Sequence, residues 1–149
     1  MNFLSAMGAS SSGMAAQRFR MNIISANIAN AETTRTPEGG PYRRRDVVLG
    51  ALPAQRTFEE ELRAQAQGKA EDPLHAKVLG VVVDQRPPML KYDPGHPDAN
   101  EDGYVAMPNI NTMEEMTNLM LASRTYEANV TAFNATKTMA LRALEIGKG

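Results

Sequence analysis

Apolar residues recur at helical spacing in two long stretches, one at each end of the chain, and the segment between them follows a different pattern. The first stretch runs from Phe3 to Asn30 and the second from Thr112 to Ile146. Between them, Pro and Gly interrupt short runs of β-branched residues, which is typical of strands joined by turns. The sequence therefore predicts an α+β fold, with long N- and C-terminal helices paired as an antiparallel coiled coil and a small β-hairpin-rich insert and a long loop between them.

The first stretch carries an apolar residue at every seventh position, namely Met7, Met14, Met21 and Ile28. A seven-residue repeat favours a left-handed supercoiled contact with another helix over an isolated surface helix. Asn30 is placed to cap the end of this stretch in the left-handed conformation. We therefore expect a helix that is marginally stable alone and is ordered by packing.

The last stretch has the strongest helical pattern. Thr112 is followed three residues later by Glu115, the spacing of a capping box, and Gly147 is placed to end the helix. Roughly 35 residues rise by roughly 50 Å, more than a globule with a radius of gyration of about 15 Å needs to cover itself. We therefore expect this helix to protrude. Its mainly apolar face, at spacings of three and four that Lys137 interrupts once, comprises Met116, Leu119, Ser123, Tyr126, Val130, Phe133, Ala140 and Leu144.

The middle of the chain predicts short strands and a loop. Thr36–Pro41 is too rich in Pro and Gly for a helix, and Arg45–Leu49 has the pattern of a short strand. Thr57 and Glu60 have capping-box spacing for a helix of two or three turns. Two further predicted strands are Lys77–Val83 and Met89–Tyr92.

These elements predict three regions. Residues 1–30 and 110–149 are expected to form a discontinuous helical core domain. Residues 31–76 are expected to form an extended connecting loop, and residues 77–109 a small β region. A sheet of three or four short strands is marginal unless it packs on a helix, so we expect the β region to depend on the helices.

The composition of the chain argues against several classes of protein. The net charge of −1 and the pI near 6.1 give no sign of a nucleic-acid partner, for which a basic domain is expected. Ten Met and an aromatic content of only 5% suit long, thin helix–helix contacts. No stretch approaches the ~18–20 apolar residues of a membrane span, and the N-terminus lacks the pattern of a signal peptide. We expect no direct membrane insertion.

Candidate chemistry is sparse. Residues 98–103 match the opening of an EF-hand loop, but Asn109 occupies the twelfth position, where calcium binding needs a bidentate Glu. His75 and His96 are too far apart in sequence to indicate a ligand cluster, and the chain has no Cys. None of the common catalytic motifs occurs. We expect no enzymatic activity, no metal and no cofactor.

Several motifs resemble those of the bacterial flagellar rod and hook family. Ser25–Ala31, followed by Thr33 and Thr34 and then by Pro41–Arg43, resembles the family's N-terminal signature, with the Thr-to-Tyr gap lengthened as in proximal-rod members. The C-terminal half agrees, and its matching segments are Asp93–Pro97, Asp102–Asn109, Glu114–Met116 and Arg124–Val130.

The resemblance implies a structural subunit of the proximal rod of the flagellar basal body. Such a subunit is exported through the flagellar type III export apparatus without a cleaved signal peptide. In the periplasm it polymerises, with copies of itself and with other rod subunits, into a helical tube that transmits torque. The alternative, from the pattern alone, is a coiled-coil adaptor module that binds a partner without polymerising.

An assembly interface is expected on the two helices. Asn27, Asn30 and Asn129 can both donate and accept hydrogen bonds, and such side chains penalise wrong neighbours when they are buried without a partner. Tyr126 adds apolar area with one polar group. The complete set of expected interface residues is Met7, Met14, Met21, Asn27, Ile28, Asn30, Met116, Leu119, Arg124, Tyr126, Asn129, Val130 and Phe133.

Overall fold

The computed structural model describes residues 3–53 and 74–147. Its elements are α1 (Phe3–Ala29), β1 (Arg45–Pro53), β2 (Leu74–Val83), β3 (Met89–Tyr92), β4 (Tyr104–Met107) and α2 (Thr112–Ile146). The α+β fold class predicted from the sequence is confirmed, with two long terminal helices and small antiparallel strand pairs between them. The short helix expected from Thr57 lies outside the described residues.

The two helices pack against each other in antiparallel order. Near one end of the pair, Asn27 Nδ2 of α1 donates to Glu115 Oε2 of α2 across 2.9 Å. Further along, Gly13 faces Asn129 so closely that an added Cβ would lie 3.0 Å from its side-chain amide. From the first contact to the second, the residue number falls by 14 on α1 and rises by 14 on α2, so the two helices run antiparallel. Left-handed supercoiling of this pair stays a prediction.

Small side chains occupy the centre of the helix pair. Ala16 of α1 and Ala122 of α2 are buried, with Ile24 as the buried large residue of α1. The seven-residue series that includes Met7 and Met14 is only half-buried and does not form the centre of the contact. Small residues let two helix backbones approach closely, and the longer Met side chains are left at the margins. The helix pair therefore has a thin core.

Strands β1 and β2 form an antiparallel hairpin that lies along α1. Arg45 pairs with Val83 at one end and Pro53 with Leu74 at the other. Ser12 of α1 accepts a hydrogen bond from the backbone N–H of Ala76 across 3.1 Å, so the far end of the hairpin is held on the helix. A β-bulge interrupts the ladder after Val48.

This hairpin differs from the sequence-based expectation. Strand β1 begins at Arg45 as predicted but continues to Pro53, and β2 begins at Leu74, before the predicted Lys77. Both strands therefore enter the segment 31–76, which was expected to be a connecting loop. Pairing between residues that are distant in sequence stabilises the added strand residues, and the local sequence pattern does not predict that pairing.

The second strand pair, β3 with β4, is closed by an ordered turn. Tyr92 and Tyr104 pair across the strands, and their rings meet edge to face with centroids 5.2 Å apart. Gly103 has a φ of +79°, a conformation that favours glycine, and Asn100 Oδ1 accepts hydrogen bonds from two backbone N–H groups of the turn. The pair therefore ends in a turn with a defined shape.

The observed helix caps differ in part from the predicted ones. The N-cap of α2 is Asn111, whose side chain accepts from the N–H groups of Met113 and Glu114, and not Thr112. Asn30 is not left-handed, since no described non-glycine residue has a positive φ; its side chain instead donates to Ala26 O across 2.8 Å. Gly147 caps the C-terminus of α2 as predicted, in a right-handed conformation.

Candidate assembly site

A buried polar cluster lies where the end of α1 meets the start of α2. At its centre is Asn27, whose side chain is completely buried. Its Nδ2 donates to Arg45 O across 2.7 Å and to Glu115 Oε2 across 2.9 Å. Its Oδ1 accepts from Arg45 N across 3.0 Å and from the Tyr42 hydroxyl across 3.2 Å. Every hydrogen-bonding position of this amide is therefore used within the chain.

The charge of Glu115 is neutralised inside the same cluster. Arg44 donates from both Nε and Nη2 to Glu115 Oε1, each across 2.8 Å. The Glu115 side chain is only 1% exposed, so removal of the guanidinium would leave a buried negative charge without a counter-charge. Burial opposes the charge of Arg44, but hydrogen bonds to Glu115 and its negative charge outweigh this and raise the pKa of Arg44. Glu115 is thus an ion-pair partner and not the capping-box residue expected from the sequence.

Tyr42 completes the polar junction, by which we mean Asn27, Tyr42, Arg44 and Glu115. Burial raises the pKa of the Tyr42 hydroxyl, the positive charge of Arg45 partly lowers it, and the negative charge of Glu115 raises it further. The Arg45 guanidinium lies 5.6 Å from the centroid of the Tyr42 ring, within cation–π distance. The hydroxyl is therefore held protonated and donating at neutral pH.

The polar junction joins three elements that are far apart in sequence. Asn27 ends α1, Glu115 begins α2, and the segment from Tyr42 to Arg45 leads into β1. Asn27 was expected at an interface between subunits, which stays a prediction; within the chain its side chain is buried and the chain itself supplies all four of its hydrogen-bond partners. A buried amide is costly without partners, so its place is set by the groups that satisfy it.

Large apolar side chains are mostly on the outside of the described structure. Its buried apolar residues are only Ala16, Ile24, Val105 and Ala122. On α2, one exposed stripe contains Met113, Met116 and Met120, at the spacing of one helix face. At least half of each side chain in this methionine stripe is exposed in the described structure.

The C-terminal end of α2 carries a second exposed apolar surface. The antiparallel register places Met139 opposite Phe3, so the residues after Met139 extend beyond the described start of α1. Leu144 is 66% exposed and Ile146 is 82% exposed. We call the set formed by Phe3, Leu4, Met139, Leu141, Leu144 and Ile146 the apolar tip.

The other expected interface residues lie on the helix pair at different depths. Met116 and Arg124 are exposed. Asn129 faces Gly13, and its Nδ2 donates to Thr125 O across 3.0 Å. The half-buried members of the set are Met7, Met14, Met21, Ile28, Asn30, Leu119, Tyr126, Asn129, Val130 and Phe133.

Sequence reasoning missed the ionic half of the polar junction. Arg44 lies 71 residues from Glu115 along the chain. No local pattern links these two residues. The apolar tip was partly foreseen, because a helix longer than the globule predicted a protruding end.

The described residues offer no obvious chemical site. Among residues 3–53 and 74–147, no three His, Asp or Glu side chains lie together as a metal cluster. Asp98, the first position of the EF-hand-like segment, accepts a hydrogen bond from the Thr34 hydroxyl across 2.8 Å. Neither described helix has a stretch apolar enough to cross a membrane.

Two family models match this chain. Residues 7–35 match the model described as flagella basal body rod protein, and these residues include most of α1 and Asn27. Residues 101–146 match the model described as the C-terminal region of the flagellar basal body rod FlgEFG proteins, and these include β4, Glu115 and all of α2. The matched segments therefore contain most of α1 and the whole of α2.

Relatives align over nearly the whole chain. The flagellar basal-body rod protein FlgC of Bacillus subtilis is 43% identical over 146 residues, which is 95% of this chain and 96% of the relative. The FlgC protein of Borreliella burgdorferi is 39% identical, with 100% of both chains aligned. The FlgC protein of Salmonella typhimurium is 39% identical over 92% of both chains.

Proposed function

The chain belongs to the FlgC family of flagellar basal-body rod proteins, and from this premise we propose that it polymerises into the helical tube of the proximal rod. It is a structural subunit of the rod, as the sequence motifs indicated. In the proposed tube it contacts copies of itself and other rod subunits, and the tube transmits torque. Residues 1–30 and 110–149 form the helical core of the subunit in this proposal.

One observation carries the proposal, namely that the large apolar residues at the end of the helix pair are exposed while its centre is made of small ones. Exposed apolar area of this kind marks a protein–protein contact. Each square ångström covered by a neighbour contributes about 25 cal/mol, which favours an assembly that covers these side chains and is partly offset by the freedom lost on association. The apolar tip and the methionine stripe are the proposed contact surfaces.

The half-buried residues of the helix pair are proposed as secondary contacts. Tyr126 and Arg124 lie on α2 at positions that a neighbouring subunit can reach, since Arg124 is exposed and Tyr126 is half-buried. Met7, Met14 and Met21 line the margin of α1. Flexible Met side chains adapt to irregular neighbours, which suits a subunit that contacts several related proteins.

Delivery to the rod is proposed to use the flagellar type III export apparatus, with assembly in the periplasm. Family membership supports this proposal. A subunit whose apolar core is thin unfolds at low cost, which suits passage through a narrow channel. The proposal names no enzymatic activity and no cofactor.

Substitutions in the apolar tip test the proposed function in the rod. The double variant Leu144→Ser/Ile146→Ser removes two exposed side chains without touching the centre of the helix pair. We expect the purified variant to keep its helical circular dichroism, to be exported, and to be absent from isolated basal bodies. Cells that carry only this variant are expected to be non-motile. The matched control, Glu145→Ser, changes an exposed polar residue between the two and is expected to build normal rods.

The adaptor alternative makes a different prediction. An adaptor is expected to sediment as a discrete monomer or dimer at high concentration and to be absent from basal bodies. Detection of the unmodified chain as a stoichiometric component of isolated rods rejects the adaptor. Its absence from rods in motile cells would reject the proposed function.

A further inference from the structure

A cavity of about 500 Å³ lies between the loop that follows α1 and the ends of β1 and β2. Three arginines line it, namely Arg35, Arg43 and Arg45, together with a single acidic residue, Glu38. Val83 closes the side that faces the hairpin. We call this space the arginine cavity, and its lining carries an excess of two positive charges.

The three cavity arginines have no carboxylate partner within the described part of the chain. Arg43 donates from Nη1 to Gln85 Oε1 across 3.1 Å, and Arg45 lies over the Tyr42 ring. Arg35 is exposed beside them. Arg44, which lies between two of them in sequence, behaves differently, since it pairs with both Glu115 and Asp46. The arginine cavity therefore presents guanidinium groups that have no carboxylate partner among the described residues.

The turn between β3 and β4 carries the opposite charge. Glu101 and Asp102 are adjacent and exposed, and no hydrogen bond or ion pair of either carboxylate occurs among the described residues. The backbone beneath them is held by hydrogen bonds from Gly103 N to Asn100 O and from Asn100 N to Tyr104 O, both 2.9 Å. We call Glu101 and Asp102 the acidic turn. Because its shape is already set, binding through it costs little ordering entropy.

We propose that the acidic turn of a second copy of this chain binds in the arginine cavity. Guanidinium and carboxylate groups form paired hydrogen bonds of matching geometry, so the two surfaces are chemically complementary. The acidic turn does not line the cavity of its own chain. A contact between two different surfaces of identical subunits generates rings or helices, which is the arrangement a rod requires. This inference rests on the proposed rod function and adds a polar lateral contact to the apolar ones.

Cross-linking in isolated basal bodies tests the contact directly. The chain has no Cys, so an introduced pair reacts without background. Cells express two forms of the subunit, one with Arg35→Cys and the other with Glu101→Cys, and a short bis-maleimide joins the thiols. A direct disulfide is unsuitable, because an Arg–Glu pair holds the two Cα atoms farther apart than a disulfide spans. We expect a cross-linked dimer that contains one copy of each form.

The matched control replaces Arg35→Cys with Lys77→Cys, an exposed residue on β2 outside the cavity. No cross-link to Glu101→Cys is expected there. Rods that contain both forms but give no Arg35–Glu101 cross-link would overturn the inference while leaving the rod function intact. Absence of the unmodified chain from rods would instead overturn the rod function itself.

Charge reversal gives an independent measurement. Arg35→Glu and Glu101→Lys are each expected to lower incorporation into rods about tenfold, and their combination in one chain is expected to restore it, because the pair is rebuilt with its charges exchanged. Circular dichroism of each purified variant verifies that the subunit still folds. Loss of incorporation in the combined variant, or an effect of one single reversal without the other, would contradict the proposed pair.

Discussion

At the scale of single residues, the most constrained position is Asn27, and its role is internal. The amide is completely buried and bonds to β1, to α2 and to the Tyr42 hydroxyl. A carboxylate at this position could not donate to Glu115, and an apolar residue would satisfy none of the partners. The side chain therefore specifies how three separate segments meet within one subunit.

Replacement of Asn27 by Ala is expected to destabilise the isolated subunit by about 2–4 kcal/mol, since the groups it satisfies are left buried and partly unpaired. Denaturant unfolding followed by circular dichroism measures the change. Asn22→Ala, on an exposed face of the same helix, is the control and is expected to change stability by under about 0.5 kcal/mol. Equal stabilities of the two variants would show that Asn27 is not needed for folding.

Alkaline pH offers a second residue-scale prediction, at Tyr42. Its pKa in the folded chain is raised above the ordinary value of 10.0, chiefly by burial. Its contribution to stability is therefore fully present below pH 10 and is lost as the pH rises through the folded pKa, because the unfolded chain gives up this proton first. The tyrosinate absorbance of the wild-type chain minus that of Tyr42→Phe isolates the Tyr42 hydroxyl, and we expect its titration to lie at higher pH in the folded chain than in the chain unfolded by denaturant. The same titration midpoint in the folded and unfolded chains would refute this.

At the scale of elements, the helix pair is held together by the close approach of its two helices and not by large buried side chains. Gly13 on α1 faces the polar side chain of Asn129 on α2, and Ala16 of α1 and Ala122 of α2 are buried, so small residues allow the two helices to approach closely. The hairpin uses a related device, since Gly50 leaves room for Leu79 at the bulge, where an added Cβ would lie 2.7 Å from Leu79 Cδ1. In both places a glycine allows the neighbouring side chain to fit.

Gly13→Leu is expected to destabilise the subunit by about 1–3 kcal/mol, because the new side chain must displace Asn129. Asn129→Ala in the same chain should recover part of this loss, and a double-mutant cycle measures how much. Ala15→Leu, at an exposed position of the same helix, serves as the control and should have little effect. If Gly13→Leu and Ala15→Leu behave alike, the close approach at Gly13 contributes nothing to stability.

At the scale of the whole molecule, the distribution of side chains is the reverse of that in a typical monomer. The described interior holds few apolar residues, among them Ala16, Ile24, Val105 and Ala122, and a polar junction, while many large apolar residues are exposed. Such a chain gains little stability by folding alone and gains more when neighbours cover it. We therefore expect assembly and complete folding to be coupled in this subunit.

Hydrogen exchange on the free subunit should show that amides at the packed centre of the helix pair are better protected than amides at the exposed C-terminal end of α2. We expect the slowest amide exchange near Ile24, Asn27 and Ala122, where the helix pair and the polar junction are packed. The fastest helical exchange is expected from Leu141 to Ile146, which extend past α1 and are exposed. In assembled rods the same C-terminal amides should become protected. Uniform protection along α2 in the free subunit would show that the apolar tip is ordered without neighbours.

The sequence by itself determined the long elements and the family. Helical periodicity over more than 25 residues identified α1 and α2, because a long amphipathic pattern has one stable solution in water. The Asn-rich block after Ser25 and the motifs near Gly103 and Tyr126 identified the rod family, and the relatives confirmed it. Local strand patterns also placed β3 at its observed position.

Only the tertiary structure decided which face of each helix is internal and what Asn27 and Glu115 do. The seven-residue methionine repeat predicted the buried face of α1, yet its members are only half-buried and small residues are buried in the helix pair instead. Periodicity indicates that a helix face is apolar, but it does not indicate which neighbour covers that face. The ion pair of Arg44 with Glu115 joins residues 71 positions apart, and the length of β1 depends on its pairing with β2. Long-range contacts such as these arise from the folded geometry, so no local window of sequence contains them.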